Sequence, residues 1–168
     1  MAVMFQTFID RLHRAEQSDG LRDAMAGFGR VFGFSSFGYI GFPRPAPQLP
    51  PYLTNYPAAW VQHYLKENYL EIDPVVALAK HRATPFLWDC RDPRLQDSSA
   101  QSRFMVEAIA VGIERGLAIP IRDTRCGHAI LVLASDRTLE QVHATVARYG
   151  DVIGLAALHF HVHAQEKL

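Results

Sequence analysis

Between Tyr56 and Trp88 the chain carries polar-tipped aromatics and one acid at positions that could converge on a small molecule: Tyr56-Pro57-Ala58-Ala59-Trp60, Tyr64, Asp73-Pro74-Val75-Val76 and Pro85-Phe86-Leu87-Trp88. An indole N–H only donates, a phenol O–H donates and accepts, and an ionised carboxylate only accepts. Trp60, Tyr56, Tyr64 and Asp73 therefore suit a neutral ligand carrying both an amide and a carbonyl, with no metal or nucleophile required. Each residue also has a plainer reading. An Asp before a Pro caps a helix, and Trp60, Trp88, Tyr52 and Tyr64 serve equally well as core aromatics, although a buried indole N–H still needs a partner.

The elements that must position these groups alternate between helix and strand. Phe5, Phe8, Ile9 and Leu12 recur at helical spacing, and after a Ser18-Asp19-Gly20 break Leu21, Ala24, Met25 and Phe28 do so again, with Gly33 as the stop. From Ser35 to Phe42 the period changes to two, placing Phe37 and Tyr39 on one face and Ser36, Gly38 and Ile40 on the other. The small residues on the second face leave room for a close neighbour or a ligand. Prolines 43, 45, 47, 50 and 51 make a stiff surface loop, followed by a short strand at Tyr52 to Asn55.

Pro57 suits the first turn of a helix that carries Trp60 and Tyr64 on one face, and Asp73-Pro74 starts another as cap and first residue. Ser98 or Ser99 opens a helix through Phe104, Ala108 and Val111, ended by Gly116. Leu117 to Arg122 and His128 to Ala134 read as a hairpin across Asp123-Thr124-Arg125-Cys126-Gly127. Thr138 begins a final long helix. The pattern is α+β: an antiparallel sheet of about five strands with helices packed on its faces.

With 168 residues the chain forms one domain, large enough for a core without disulfides. Its 17 basic and 17 acidic residues cancel, which removes the electrostatic basis for binding nucleic acid or an anionic membrane through this domain. No apolar run approaches the ~18 residues of a membrane span, and no signal-peptide pattern opens the chain, so a cytoplasmic location is expected. Cys90 and Cys126 are too few for a disulfide framework and read as reduced thiols.

Tyr56, Trp60, Asp73, Pro74 and Trp88, followed by Gly116, Leu117 and Pro120, resemble the autoinducer-binding domain of LuxR-type quorum-sensing transcription regulators, which sense N-acyl-homoserine lactones. The resemblance runs from about residue 5 to about residue 163, and it implies an α–β–α sandwich with the ligand between the sheet and one layer of helices. By position, it implies that Trp60 donates to the lactone carbonyl, Asp73 accepts the amide N–H and Tyr56 donates to the acyl-amide carbonyl. Trp88, Phe104, Ala108 and Ile113 would surround the lactone ring; Ser36, Gly38, Ile40, Tyr52, Tyr64, Val75, Val76 and Val132 would line the acyl side, with Thr54 near the amide.

The family has Ser or Thr in some members where this chain has Val75 and Val132, so an unsubstituted acyl chain of medium or greater length is expected rather than a 3-oxo one. The resemblance further implies a homodimer, helped by surplus apolar positions on the last helix, and DNA binding only through a C-terminal helix-turn-helix domain that this sequence does not contain. A sensor domain of a longer regulator is expected; a stand-alone sensor that titrates a full-length partner is the alternative.

Other chemistries are poorly supplied. His159 and His163 share a helical face, but no third ligand completes a metal site, so with His161 they read as solvated side chains near a helix C-terminus. A lactone-degrading or acyl-transfer enzyme would need an activated nucleophile or metal-bound water, and the nearest signal is Cys126-Gly127-His128 in a turn. Neither enzyme activity, nor a cofactor, nor a metal is expected.

Overall fold

A computed structural model describes residues 1–47, 49–123 and 127–168. The chain runs α1 (Ala2–Arg14), α2 (Ser18–Val31), β1 (Ser36–Phe42), β2 (Tyr52–Thr54), α3 (Ala58–Lys66), a 3-10 turn (Tyr69–Glu71), α4 (Pro74–His81), β3 (Phe86–Asp89), α5 (Ser99–Ala110), β4 (Arg115–Asp123), β5 (Gly127–Ser135) and α6 (Leu139–Lys167). The strands form one antiparallel sheet in the order β2-β1-β5-β4-β3, so the longest strands are central and the two shortest guard the edges.

Register assigns the two faces. Tyr39, Leu131 and Ile119 lie in one row across β1, β5 and β4, and the next row, Gly38, Val132 and Ala118, points the other way. The first face packs with Leu12, Leu21, Met25, Ile153, Ala157 and Phe160 of α1, α2 and α6 into a continuous apolar core. The second meets Trp60, Val75, Ala79, Phe104 and Ala108 of α3, α4 and α5. This is the expected α–β–α sandwich.

Local chemistry explains most boundaries. The Asp73 side chain accepts from the backbone N–H groups of Val75 and Val76, with Pro74 in the first turn of α4. Thr138 and Gln141 form a reciprocal capping box on α6. Gly33 (φ 81°) closes α2 as expected: the Phe34 N–H bonds back to the Gly29 carbonyl and the Gly33 N–H to that of Arg30.

Three expectations are corrected. Ser18-Asp19-Gly20 forms the first turn of α2, and the break lies just before it at 15–17. Pro57 sits immediately outside α3 rather than in it. Gly112 (φ 82°), not Gly116, ends α5, with the Ile113 N–H bonded to the Ala108 carbonyl and the Gly112 N–H to that of Ile109. Gly116 lies within β4, where a Cβ would come within 1.8 Å of the Leu133 carbonyl oxygen; it marks a close approach of strands rather than a helix stop. The centre of the β4–β5 hairpin, Thr124 to Cys126, lies outside the described residues.

Candidate functional site

A cavity of about 120 Å³ lies between the second face of the sheet and the α3–α5 layer. Its floor is Gly38 and Ile40 of β1, Val132 of β5 and Trp88 of the edge strand β3. Gly38 lets the loop opposite come close: a Cβ there would sit 3.0 Å from Cε2 of the Tyr56 ring. The α3 helix presents Trp60 and Tyr64 one turn apart, α4 presents Val75 and Val76 beside Asp73, and α5 with its exit presents Phe104, Ala108 and Ile113. Tyr52 and Thr54 of β2, with Tyr56, complete the side nearest the sheet edge.

Every residue expected at the site lines this cavity except Ser36, which pairs with Ala134 further along the sheet. The lining also includes residues that sequence reasoning passed over: Tyr39, Leu49, Pro50, Val61, Leu65, Leu70, Cys90 and Met105. Met105 had a usable signal, since it lies three residues before Ala108 on the same face of α5. Leu49 and Pro50 had none, because the proline-rich loop has no period from which to read an inward face.

The polar groups are few and unequally satisfied. Asp73 Oδ1 accepts from the N–H groups of Val75 (2.9 Å) and Val76 (3.3 Å), while Oδ2 accepts the Tyr64 hydroxyl at 3.0 Å. Burial raises the Asp73 pKa above the usual carboxylate value, and these three hydrogen bonds only partly oppose it. Burial and the nearby Asp73 charge likewise push the phenols of Tyr56 and Tyr64 upward, so both keep their protons. The Thr54 hydroxyl donates to the Phe37 carbonyl and accepts from the Tyr56 N–H, which commits it to the backbone rather than to the cavity.

Among the described residues, Trp88 Nε1 is fully buried without a hydrogen-bond partner, and the Tyr56 and Trp60 side chains, which line the cavity, make no side-chain hydrogen bond to the protein. An unmet buried donor such as Trp88 Nε1 costs about 1–3 kcal/mol, and with the Tyr56 and Trp60 donors beside it the arrangement favours a guest that accepts hydrogen bonds in an apolar setting. It offers no activated nucleophile. Burial pushes the Cys90 thiol up to about 12, leaving it protonated, and its Sγ donates to the Ile113 carbonyl at 3.4 Å.

Around Trp60 the rings of His63, Tyr64, Tyr69 and Phe104 gather with centroids 6.0–6.2 Å from it, Phe104 stacked at 28°. Behind them His63, Tyr69 and Arg103 all bond to Glu107.

The C-terminal histidines differ from expectation. His161 is buried on the opposite side of the sheet, with Nδ1 2.8 Å from the Tyr39 hydroxyl and Nε2 3.5 Å from the Asp123 carboxylate. His159 packs edge-on against Phe5, and His163 against His13. They are packing residues because α1 covers α6 at His159 and His163 and the sheet covers it at His161, which a helix considered alone does not reveal. Among the described residues no His, Cys, Asp or Glu group can hold a metal ion, and no helix is long and apolar enough to cross a membrane. Cys126 lies outside the described residues.

A family model described as the autoinducer binding domain matches residues 17–164. The transcriptional activator protein TraR of Agrobacterium vitis is 28% identical over 164 residues, covering 95% of this chain and 67% of TraR. The transcriptional activator protein BjaR1 of Bradyrhizobium diazoefficiens is 33% identical over 107 residues, covering 61% of this chain and 43% of BjaR1. The crystal structure of CepR2 from Burkholderia cenocepacia, described as an N-acylhomoserine lactone-dependent LuxR family transcription factor, superposes with a TM-score of 0.82 at 20% identity, covering 99% of this chain and 96% of that one.

Proposed function

The chain belongs to the autoinducer-binding domain family of LuxR-type quorum-sensing activators, and on that premise we propose that its cavity binds an N-acyl-homoserine lactone. The observation that carries the reading is the pairing of unmet donors with an acceptor inside an apolar enclosure. Trp60 donates to the lactone carbonyl, Tyr56 donates to the acyl-amide carbonyl, and Asp73 Oδ2, already holding Tyr64, accepts the amide N–H on its remaining lone pair. Trp88, Phe104, Ala108 and Ile113 enclose the lactone ring. Gly38, Ile40, Tyr52, Tyr64, Val75, Val76 and Val132 border the acyl chain.

The valines at 75 and 132 and the committed hydroxyl of Thr54 leave no free hydroxyl at these positions for a 3-oxo group, which supports an unsubstituted chain. Leu49, Tyr52 and Leu65 line the cavity and are also 55%, 38% and 37% exposed, so the acyl end opens towards solvent and admits chains of medium or greater length.

Binding of signal to this domain is coupled to dimerisation and, through a separate C-terminal domain, to DNA. Leu155, Leu158 and Val162 form an exposed apolar stripe on α6, suited to meeting its copy across a two-fold axis. A ligand that satisfies buried donors stabilises the fold, by ~4 kcal/mol at ~1,000 times its dissociation constant. Thermal melts with a panel of acyl-homoserine lactones test this, and no shift with any chain length sinks the ligand class. Recovery of intact lactone after long incubation distinguishes binding from turnover.

A further inference from the structure

We infer that Glu107 is a positioning residue for ligand recognition: from α5 it pins the His63 and Tyr69 rings that flank Trp60, and thereby sets the direction of the indole N–H. This rests on the reading of Trp60 as a donor to the ligand.

The α3 helix is held unusually lightly. Trp60 is its one buried residue, and the rest of its surface is half-buried or exposed. Apart from Trp60 it is anchored chiefly by Tyr64, which donates to Asp73 and packs edge-on against Tyr69 and Phe104, so a small roll about these two side chains swings the indole. A set of polar contacts opposes this. Glu107 Oε2 accepts the Tyr69 hydroxyl at 2.5 Å and faces His63 Nε2 at 2.7 Å, and with Nε2 protonated His63 donates to the same oxygen. Glu107 Oε1 accepts from Arg103 Nε at 3.1 Å, and a terminal nitrogen of that guanidinium reaches Glu67, just past the end of α3, at 3.0 Å.

One carboxylate thus ties α5 to α3 and to the 3-10 turn after it. The His63 and Tyr69 rings lie 6.0 Å and 6.2 Å from Trp60, and Phe104, three residues before Glu107 on the same helix, stacks on the indole. The same α5 turn holds the ring and aims it. An ordinary surface ion pair would contribute little. Glu107 differs because a neutral, well-buried tyrosine delivers its hydroxyl to it and the charge assists each bond.

The test is calorimetric titration with N-octanoyl- and N-dodecanoyl-homoserine lactone of Glu107→Gln in two backgrounds, wild type and Trp60→Phe. If Glu107 acts through the indole N–H, Glu107→Gln weakens the tighter-binding lactone about tenfold in the wild-type background, and the loss shrinks to under about twofold once Trp60→Phe has removed the donor. Tyr69→Phe, which deletes only the hydroxyl held by Glu107, follows the same pattern and serves if Glu107→Gln does not fold. Equal losses in both backgrounds, or none in either, overturn the inference while leaving the ligand reading intact. Wild-type protein that binds neither lactone, nor any other chain length, defeats the ligand reading and the inference with it.

Discussion

Behind the sheet, Leu12, Leu131, Ile153 and Phe160 are fully shielded members of one apolar cluster built from three helices, α1, α2 and α6. In front of it, Trp60, Trp88 and Tyr56 bring polar atoms into an equally apolar layer and leave them unpaired around a cavity. The two sides share the same strands and differ by a one-residue step in register, because alternate side chains of β1, β4 and β5 supply one or the other. The comparison shows how stability and recognition are separated within one sheet. The back layer is packed mainly for cohesion, with the buried Tyr39–His161 pair as its polar exception, and the front layer gathers its polar positions around a cavity.

The largest expected contrast comes from breaking the back layer. Phe160 is completely buried, with its ring 5.8 Å from that of Phe37 and 5.4 Å from that of Tyr39, both near perpendicular. Phe160→Ala is expected to cost ~3–5 kcal/mol, seen in chemical denaturation with and without lactone alike. A loss confined to the ligand-bound state would show that the two layers are not separable.

The front layer should respond the other way. Trp60→Phe and Asp73→Asn are each expected to weaken lactone binding by ~1–3 kcal/mol in calorimetric titration while shifting ligand-free stability much less, because Phe keeps most of the ring volume and Asn still caps α4. Wild-type affinity in both variants would place the head group elsewhere in the cavity.

The smallest expected effect is a difference in pH response between the two layers. Asp73 has a folded pKa raised by burial, so its contribution to stability is fullest below the ordinary carboxylate value and is lost as pH rises through the folded one. His161 has a folded pKa lowered by burial, against the opposing pull of Asp123, so its contribution is present above the ordinary imidazole value and is lost as pH falls. Ligand-free wild type should gain stability relative to Asp73→Asn as pH falls from neutrality towards 4, and lose stability relative to His161→Phe over pH 7 to 5. Denaturant midpoints across that range check both signs, and parallel trends for the two pairs would contradict the assignment.

Much of this arrangement was legible in the chain because it depends on neighbours in sequence. Asp73-Pro74 specifies its own cap, Thr138 marks the start of the last helix, and the alternation from Ser36 to Phe42 sorts Tyr39 from Gly38 without further information. The resemblance carried the site residues, and fifteen of the sixteen expected there, all but Ser36, line one cavity. The edge strand β3 escaped assignment because Phe86–Asp89 is only four residues long, too short for a period to show. Gly116 was misread because a glycine that ends a helix and one that admits a crossing carbonyl look the same in sequence, and only the Leu133 oxygen distinguishes them.

What the sequence determines by itself is the set of periods, caps and donor types, which depend on bonds and side chains within a few residues of one another: two faces on each central strand, Trp60 and Tyr64 one turn apart, and an acid at the start of α4. Only the tertiary structure decides which donors go unmet. His161 finds Tyr39 from 122 residues away and His63 finds Glu107 from 44, whereas Trp88 Nε1 finds no one. Whether a buried polar atom is satisfied depends on which distant element packs against it, and that is settled by the joint burial of all the apolar faces rather than by any local stretch of chain.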